Sequence, residues 1–341
     1  MRPLITIGIA SYNYEKYIEK ALLAIRKQNF TDYEVLISDD ASTDSSVSLI
    51  QKFIDNNPQM QIRLIVNTEN RGLVANKNTL IENCRGKYIM LCDADDWMAD
   101  NCLEKIAEVI YKEKPDRIIA AVSNIDEEGR IIQVQQIPEH QTKWGWNIHH
   151  ASVCRVDLIR QHNIKIEDEP DDVYFTMEFA KYCEKVVSIN EPLYFWRVHL
   201  DSEGRKKKGR NFSDEIPKYI RELDFVGETI KFLKSDKKYT RRDVEECRMV
   251  LLKLYYFNLF FVTQSYSLDE KLYCYQVLHK EITSIDPHYL QNDFLKLNAV
   301  PILRSYASKS TKLFALLEKV KLIKLALVCF HIVSKVKYFD Q

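Results

Sequence analysis

From Leu4 to Ile110 the hydrophobic pattern switches repeatedly between strand-like and helix-like periods, and this alternation leaves few architectures open. Leu4 to Ala10 reads as a strand, and Ile18, Ala21, Leu22 and Ile25 form a helical stripe. Val35 to Ile37 is the second strand, followed by a helical face of Val47, Ile50 and Ile54. Ile62 to Val66, Leu73 to Asn83, Tyr88 to Cys92 and the stripe Leu103, Ile106, Ile110 repeat the cycle. Strands alternating with helices over short connections imply a parallel sheet with right-handed crossovers and helices on its faces. Next, Ile118 to Val122 and Ile131 to Val134 flank Asp126-Glu127-Glu128-Gly129, which predicts a hairpin. Beyond the basic loop Gly204-Arg205-Lys206-Lys207-Lys208-Gly209-Arg210 the pattern turns helical and aromatic, around 216–233, 250–262 and 268–285. An α/β domain over 1–210 and an all-α region over 211–341 are expected.

Composition excludes several classes. Lys+Arg 49 balances Asp+Glu 49, so the overall charge offers nucleic acid no partner. The eight cysteines show no Cys-x-x-Cys spacing and several sit in apolar patterns, which fits a reducing compartment better than a disulfide framework. Leu4 to Ala10 is followed at once by Ser11-Tyr12-Asn13 and a helical pattern, so it reads as a first strand and not a signal peptide. No segment reaches the ~20 apolar residues of a membrane span. A cytoplasmic protein is expected.

The chemistry concentrates at strand ends. Asp93-Ala94-Asp95-Asp96 follows the buried-type strand Tyr88 to Cys92. In an open α/β sheet the carboxyl ends of the strands form the ligand crevice. Negative charge clustered there is costly unless a cation or hydrogen-bond donor compensates it, and a divalent metal carrying a diphosphate meets that need. Asp39 and Asp40 end the second strand on the same rim, where a carboxylate suits a nucleobase imide N–H or a ribose hydroxyl; Asp44, ahead of a helix, reads as an N-cap. Asn70-Arg71-Gly72 opens the third helix, as a site for an anion or sugar or as simple capping.

Taken together, Ile-Ala-Ser-Tyr-Asn at 9–13, Asp-Asp-Ala-Ser-Thr-Asp at 39–44, Asn-Arg-Gly at 70–72, Lys77-Asn78 and Asp-Ala-Asp-Asp at 93–96 resemble the family 2 inverting glycosyltransferases of the GT-A fold, over residues 3 to 203. The resemblance implies a mixed, mostly parallel, Rossmann-like sheet, with a nucleotide-sugar half at 1–97 and an acceptor half at 98–210. It implies that Tyr12 stacks on a uracil ring, Asp40 accepts its N3–H, and Asn70 lines the same donor site. Asp93 would hold the ribose or the metal, and Asp95 would ligate Mn²⁺ or Mg²⁺ bridging the diphosphate of a UDP-sugar. Lys77 stands where the family usually has Arg, keeping the phosphate-binding charge without bidentate geometry.

Inverting transfer is an in-line displacement by an acceptor hydroxyl, and it needs a carboxylate to take the proton. The family places that base in an acidic pair before an apolar helix. Phe175, Phe179 and Tyr182 set the register, so Asp171-Asp172 matches, with Asp172 as base, Asp171 supporting and Glu169 in reserve; the same carboxylates also suit a helix start. Pro192 to His199 resembles the family's closing strand, which ends in aromatic-Arg-x-His and would bring His199 to the metal or the diphosphate. The basic loop after it reads as a lid over the diphosphate or as a solvated loop. Trp146, ahead of His149-His150, suits an acceptor platform or core packing.

From Lys309 to Lys337 there are seven lysines and one acidic residue, Glu318, with Leu313, Leu316, Val320, Ile323, Leu327 and Phe330 at spacings of three and four. This predicts one basic amphipathic helix, suited to the cytoplasmic face of an anionic membrane or to a homodimer seam. The leading expectation is a UDP-sugar-dependent enzyme that extends a bacterial lipopolysaccharide or capsule on a glycan or lipid-linked acceptor. A sugar-nucleotide nucleotidyltransferase fits less well, because Ser11-Tyr12-Asn13-Tyr14 replaces the Gly-rich basic loop it needs. A non-catalytic nucleotide-sugar scaffold is the third reading.

Overall fold

The computed structural model describes residues 2–137, 143–144, 149–167, 171–198, 212–260, 263, 266–295 and 309–339, without the side chains of 171, 213, 309 and 333–339. His199, Trp146, Asp168, Glu169 and the basic loop at 204–210 lie outside the described residues, and Asp171 is described in its backbone alone. The chain divides into two compact units, Met1–Ile137 with Trp146–Arg205, and Pro138–Gly145 with Lys206–Gln341.

The first unit follows the predicted alternation: β1 (Ile5–Ser11), α1 (Ile18–Arg26), β2 (Tyr33–Asp39), α2 (Ser46–Asp55), β3 (Ile62–Val66), α3 (Leu73–Asn83) and β4 (Tyr88–Asp93). It continues with β5 (Trp97–Met98), α4 (Cys102–Glu113), β6 (Arg117–Ile125), β7 (Ile131–Gln135), β8 (Ser152–Arg155), α5 (Val156–Gln161), α6 (Asp171–Tyr182) and β9 (Val186–Arg197). The strands form one sheet in the order β3-β2-β1-β4-β8-β6-β9-β5, with β7 beside β6. β1 to β4 are mutually parallel, as is the β6–β9 pair; β8 runs antiparallel to β4 and β6, and the β6–β7 hairpin forms as expected.

Both faces of the sheet are covered, which is why its inner strands are apolar throughout instead of alternating. Ile5, Ile7 and Ile9 pack with Ile18, Leu22 and Ile25 of α1, Ile50 of α2 and Ile106 of α4. On the other face Leu36 and Leu91 meet Leu80 of α3, Ile159 of α5 and Phe179 of α6. Gly86 leads into β4 where a Cβ would stand 2.5 Å from Thr6 N, so only glycine lets the two chains approach there.

The second unit holds α7 (Phe212–Ser235), α8 (Arg241–Phe260), α9 (Leu268–Ile285), α10 (Lys309–Lys319) and α11 (Ile323–Phe339). Ser267 and Glu270 form a capping box that starts α9. The single helix expected over 309–337 is two helices, broken where Lys321 takes a left-handed φ of 61°. The break turns Ile323 and Leu327 into the core, while Phe314 stacks on Phe260 at 3.8 Å between ring centroids. No helix among the described residues is long and apolar enough to cross a membrane.

Candidate active site at the end of the fourth strand

The predicted rim exists. The carboxyl ends of β1, β2 and β4 lie side by side, with Ser11 level with Asp39 and Ala10 with Asp93. Tyr12 follows β1 and is 40% exposed. Asn13 and Ala41, with φ of 59° and 61°, bend the two loops toward each other, and Asn13 Oδ1 accepts from Thr43 N at 2.8 Å. Asp44 sits one residue before the N-cap position, Ser45, and accepts from Ser46 N and Glu15 N. It therefore joins two loops in addition to starting α2.

The two aspartates that end β2 have structural partners. Asp39 accepts from Ser11 Oγ, Ser42 N and Ser42 Oγ. Asp40, expected to meet a uracil N3–H, is 2% exposed, and its two oxygens accept from Asn67 Nδ2, Arg71 N and Gly72 N at 2.7–3.0 Å. Three donors thus converge on this carboxylate, with Arg71 N shared between its two oxygens. Asp40 anchors the loop that opens α3. Asn70 works beside it, its Oδ1 accepting from Gly72 N at 3.0 Å. Gly72, at φ 88°, is the N-cap of α3 and supplies no side chain to the helix start.

Lys77, expected to bring a phosphate-binding charge, has its ammonium buried beneath the acidic cluster, 3.0 Å from Asp93 Oδ1 and 3.2 Å from His149 Nε2. His150 Nε2 lies 3.0 Å from Asp93 Oδ2 and 3.7 Å from Asp96 Oδ2. His150 stacks on Trp196 and on His149. Burial works against the Asp93 charge, but Lys77, His149 and the hydrogen bonds from both histidines outweigh it and hold the carboxyl well below the usual carboxylate range.

Neither histidine was singled out as a site residue from the sequence. Both lie just ahead of β8, which pairs antiparallel with β4 up to Met90 and Val153, and Asp93 ends β4 three residues after Met90. Lys77→Met is expected to cost about 3 kcal/mol or more in chemical denaturation, because it leaves Asp93 facing inward without its buried counter-ion.

Asp93, Asp95 and Asp96 each place a carboxylate oxygen within 4.8 Å of the others, a set that could hold a metal ion. Asp96 Oδ1 accepts from Arg197 N at 2.8 Å, while its buried Oδ2 has no hydrogen bond of ordinary geometry. Burial, then repulsion from Asp95 and Asp93, pushes Asp96 well above the usual carboxylate range. Three hard oxygen donors converging on one point suit Mn²⁺ or Mg²⁺.

Arg197, also not foreseen as a site residue, fixes the acidic turn. Its Nε donates to Asp95 O and its terminal nitrogen to Glu127 O, both at 2.9 Å, and its guanidinium lies between the Tyr17 and Trp97 rings. It is the Arg of the aromatic-Arg-x-His sequence that closes β9. Asp172, in the first turn of α6, is half-buried, and its Oδ1 accepts from Val173 N at 3.0 Å. Burial and His149 push the His150 imidazole below its ordinary range, while Asp93 and Asp172 pull it the other way, so Asp172 lies within electrostatic reach of the same cluster.

Comparison with known proteins agrees with this geometry. Residues 6–167 match Glycosyl transferase family 2. The chain is 24% identical over 250 residues to the glycosyltransferase EpsH of Bacillus subtilis, covering 67% of this chain and 71% of EpsH. S. aureus TarS 1-349 superposes with a TM-score of 0.69 at 15% identity, over 99% of this chain and 92% of that one, and its complex with UDP-GlcNAc gives 0.66. The mannosyltransferase PcManGT from Pyrobaculum calidifontis, in complex with GDP-Man and Mn²⁺, gives 0.53 at 14% identity, over 98% of this chain and 87% of that one. With β1, β2 and β4 carrying the acidic rim and the matched residues spanning all of it, residues 6–167 are a family 2 glycosyltransferase domain, built on the GT-A fold.

Proposed function

We propose that this enzyme moves a sugar, with inversion, from a nucleoside-diphosphate sugar to a hydroxyl of a glycan or lipid-linked glycan in the assembly of a bacterial polysaccharide, and that the donor is a UDP-sugar. The carrying observation is the convergence of Asp93, Asp95 and Asp96 at the end of β4, with Asp172 near enough to act electrostatically on the same histidine. The UDP-GlcNAc complex of TarS and the GDP-Man and Mn²⁺ complex of PcManGT, which share this fold, support the donor class and the cation.

A divalent cation on Asp95, with Asp93 and Asp96, would supply the positive charge that a departing diphosphate requires. The protein's residues do the rest. Tyr12 offers an aromatic face to the base, and Asp40 with Asn70 keeps the loop ahead of α3 in place beside it. Lys77 and the two histidines fix Asp93, and Arg197 fixes the main chain of Asp95. Asp172, half-buried at the start of α6, takes the proton from the acceptor hydroxyl, and Asp171 supports it.

The test is a thermal-shift series with Mn²⁺ and UDP, separately and together. A ligand at about 100 times its dissociation constant stabilises by about 2.7 kcal/mol, a shift of roughly 5–10 °C for a unit of this size. The pair together is expected to exceed either alone, because each completes the other's coordination. A shift with UDP that is indifferent to Mn²⁺ would count against the cation.

A further inference from the structure

The C-terminal pair of helices in the second unit is apolar on two opposite faces. One face of α10 is buried through Phe314, Ala315 and Glu318, and one face of α11 through Ile323, Leu327 and His331. On the far side of the same helices, Leu313 and Leu316 of α10 are 52% and 53% exposed and Leu325 and Ile332 of α11 58% and 55%, while Val320 and Leu322 in the turn between them are 54% and 46% exposed. Spacings of three from Leu313 to Leu316 and of seven from Leu325 to Ile332 put each pair on one helical stripe. Six large apolar side chains in one short segment exceed the scattered exposure of an ordinary surface.

Charge identifies what covers this face. Lys319, Lys321 and Lys324 are exposed along its edges. The one acidic residue between 309 and 332, Glu318, is turned inward and accepts from Tyr255 OH at 2.8 Å and Tyr256 OH at 2.6 Å. The exposed charge here is therefore of one sign. A second copy of the chain would bring lysine against lysine, whereas an anionic bilayer offers apolar depth to the leucines and phosphate to the ammonium groups.

We propose that the outward face of α10 and α11 lies on an anionic lipid surface, with both helices in the plane of the membrane. This goes beyond the transfer reaction and does not depend on which donor is used. The lysine edge makes the attachment sensitive to salt.

The test is co-sedimentation of the full chain with vesicles of phosphatidylcholine mixed with phosphatidylglycerol, against phosphatidylcholine alone, for the wild type and for Leu316→Asp/Leu325→Asp. The wild type is expected to sediment with the mixed vesicles, less so at high salt. The variant's partition constant should fall by roughly tenfold or more, since two charges replace apolar groups at the interface. Its melting temperature and its release of UDP with a water-soluble acceptor should stay at the wild-type level, because both leucines are more than half exposed. Wild-type protein that stays in the supernatant, or a variant that binds undiminished, overturns the proposal. So does a wild-type dimer that the same variant converts to monomer, which would assign the face to a second copy.

Discussion

Asp95→Ala is expected to lower kcat by about 10²–10³-fold, the usual loss when one group that stabilises transition-state charge is removed. The same variant should lose the Mn²⁺-dependent part of the thermal shift. Its fold should survive, because Arg197 Nε bonds to the Asp95 main-chain oxygen, which alanine retains. The neighbouring carboxylates make informative contrasts. Asp93→Ala strips Lys77 and His150 of their partner and should weaken the fold as well as turnover. Removing Asp95 should instead relieve part of the repulsion that holds Asp96 high, so the apo protein should be no less stable. Loss of turnover without loss of stability at position 95, measured by steady-state kinetics and urea denaturation on one preparation, is therefore the signature expected of a cation ligand. Equal loss of both would make Asp95 a structural residue.

The second large effect belongs to Asp172. Asp172→Asn is expected to reduce kcat by roughly 10²–10⁴-fold, the range for a positioned general base, with little change in KM for the donor. Asparagine keeps an Oδ1 that can accept from Val173 N, and Thr176 Oγ1 bonds the main-chain oxygen of residue 172, so the start of α6 is retained. The binding side of the enzyme should be untouched, and the thermal shift with Mn²⁺ and UDP should match the wild type. The two variants thus separate the two roles: position 95 loses the metal response, and position 172 keeps it while losing chemistry. A kcat for Asp172→Asn within a few-fold of the wild type would remove this residue as the base.

Much of this site was legible in the chain because it sits on parallel strands buried on both faces. Such strands are continuous apolar runs, and a carboxylate at the end of one, as at Asp39 or Asp93, has to lie on the rim. Helices with one apolar stripe, such as Ile18, Leu22 and Ile25, declared themselves by period. The partners of the acids did not, because partnership depends on pairings far apart in sequence. β8 has only four residues, and nothing in Ser152–Arg155 says that it pairs with β4, yet that pairing places the residues ahead of β8 beside the end of β4, where His150 meets Asp93.

Lys77 reads as a phosphate-binding cation, and that its ammonium is buried against Asp93 and His149 depends on packing that the sequence does not display. Asp40 reads as an open acceptor because its donors are the main-chain N–H groups of Arg71 and Gly72, which a sequence does not display. In the C-terminal segment the spacing of three and four continues across Lys321, but the left-handed backbone there splits one apolar stripe into an inner and an outer face.

The central claim is that the carboxylates at the end of β4 grip a cation that neutralises a leaving nucleoside diphosphate. It is tested most directly by measuring UDP release from UDP-sugars with the wild type and with Asp93→Ala/Asp95→Ala, each in Mn²⁺ and in EDTA. The account predicts release by the wild type in Mn²⁺ alone, and background release in the other three conditions. Release that persists in EDTA, or in the double variant, would contradict it.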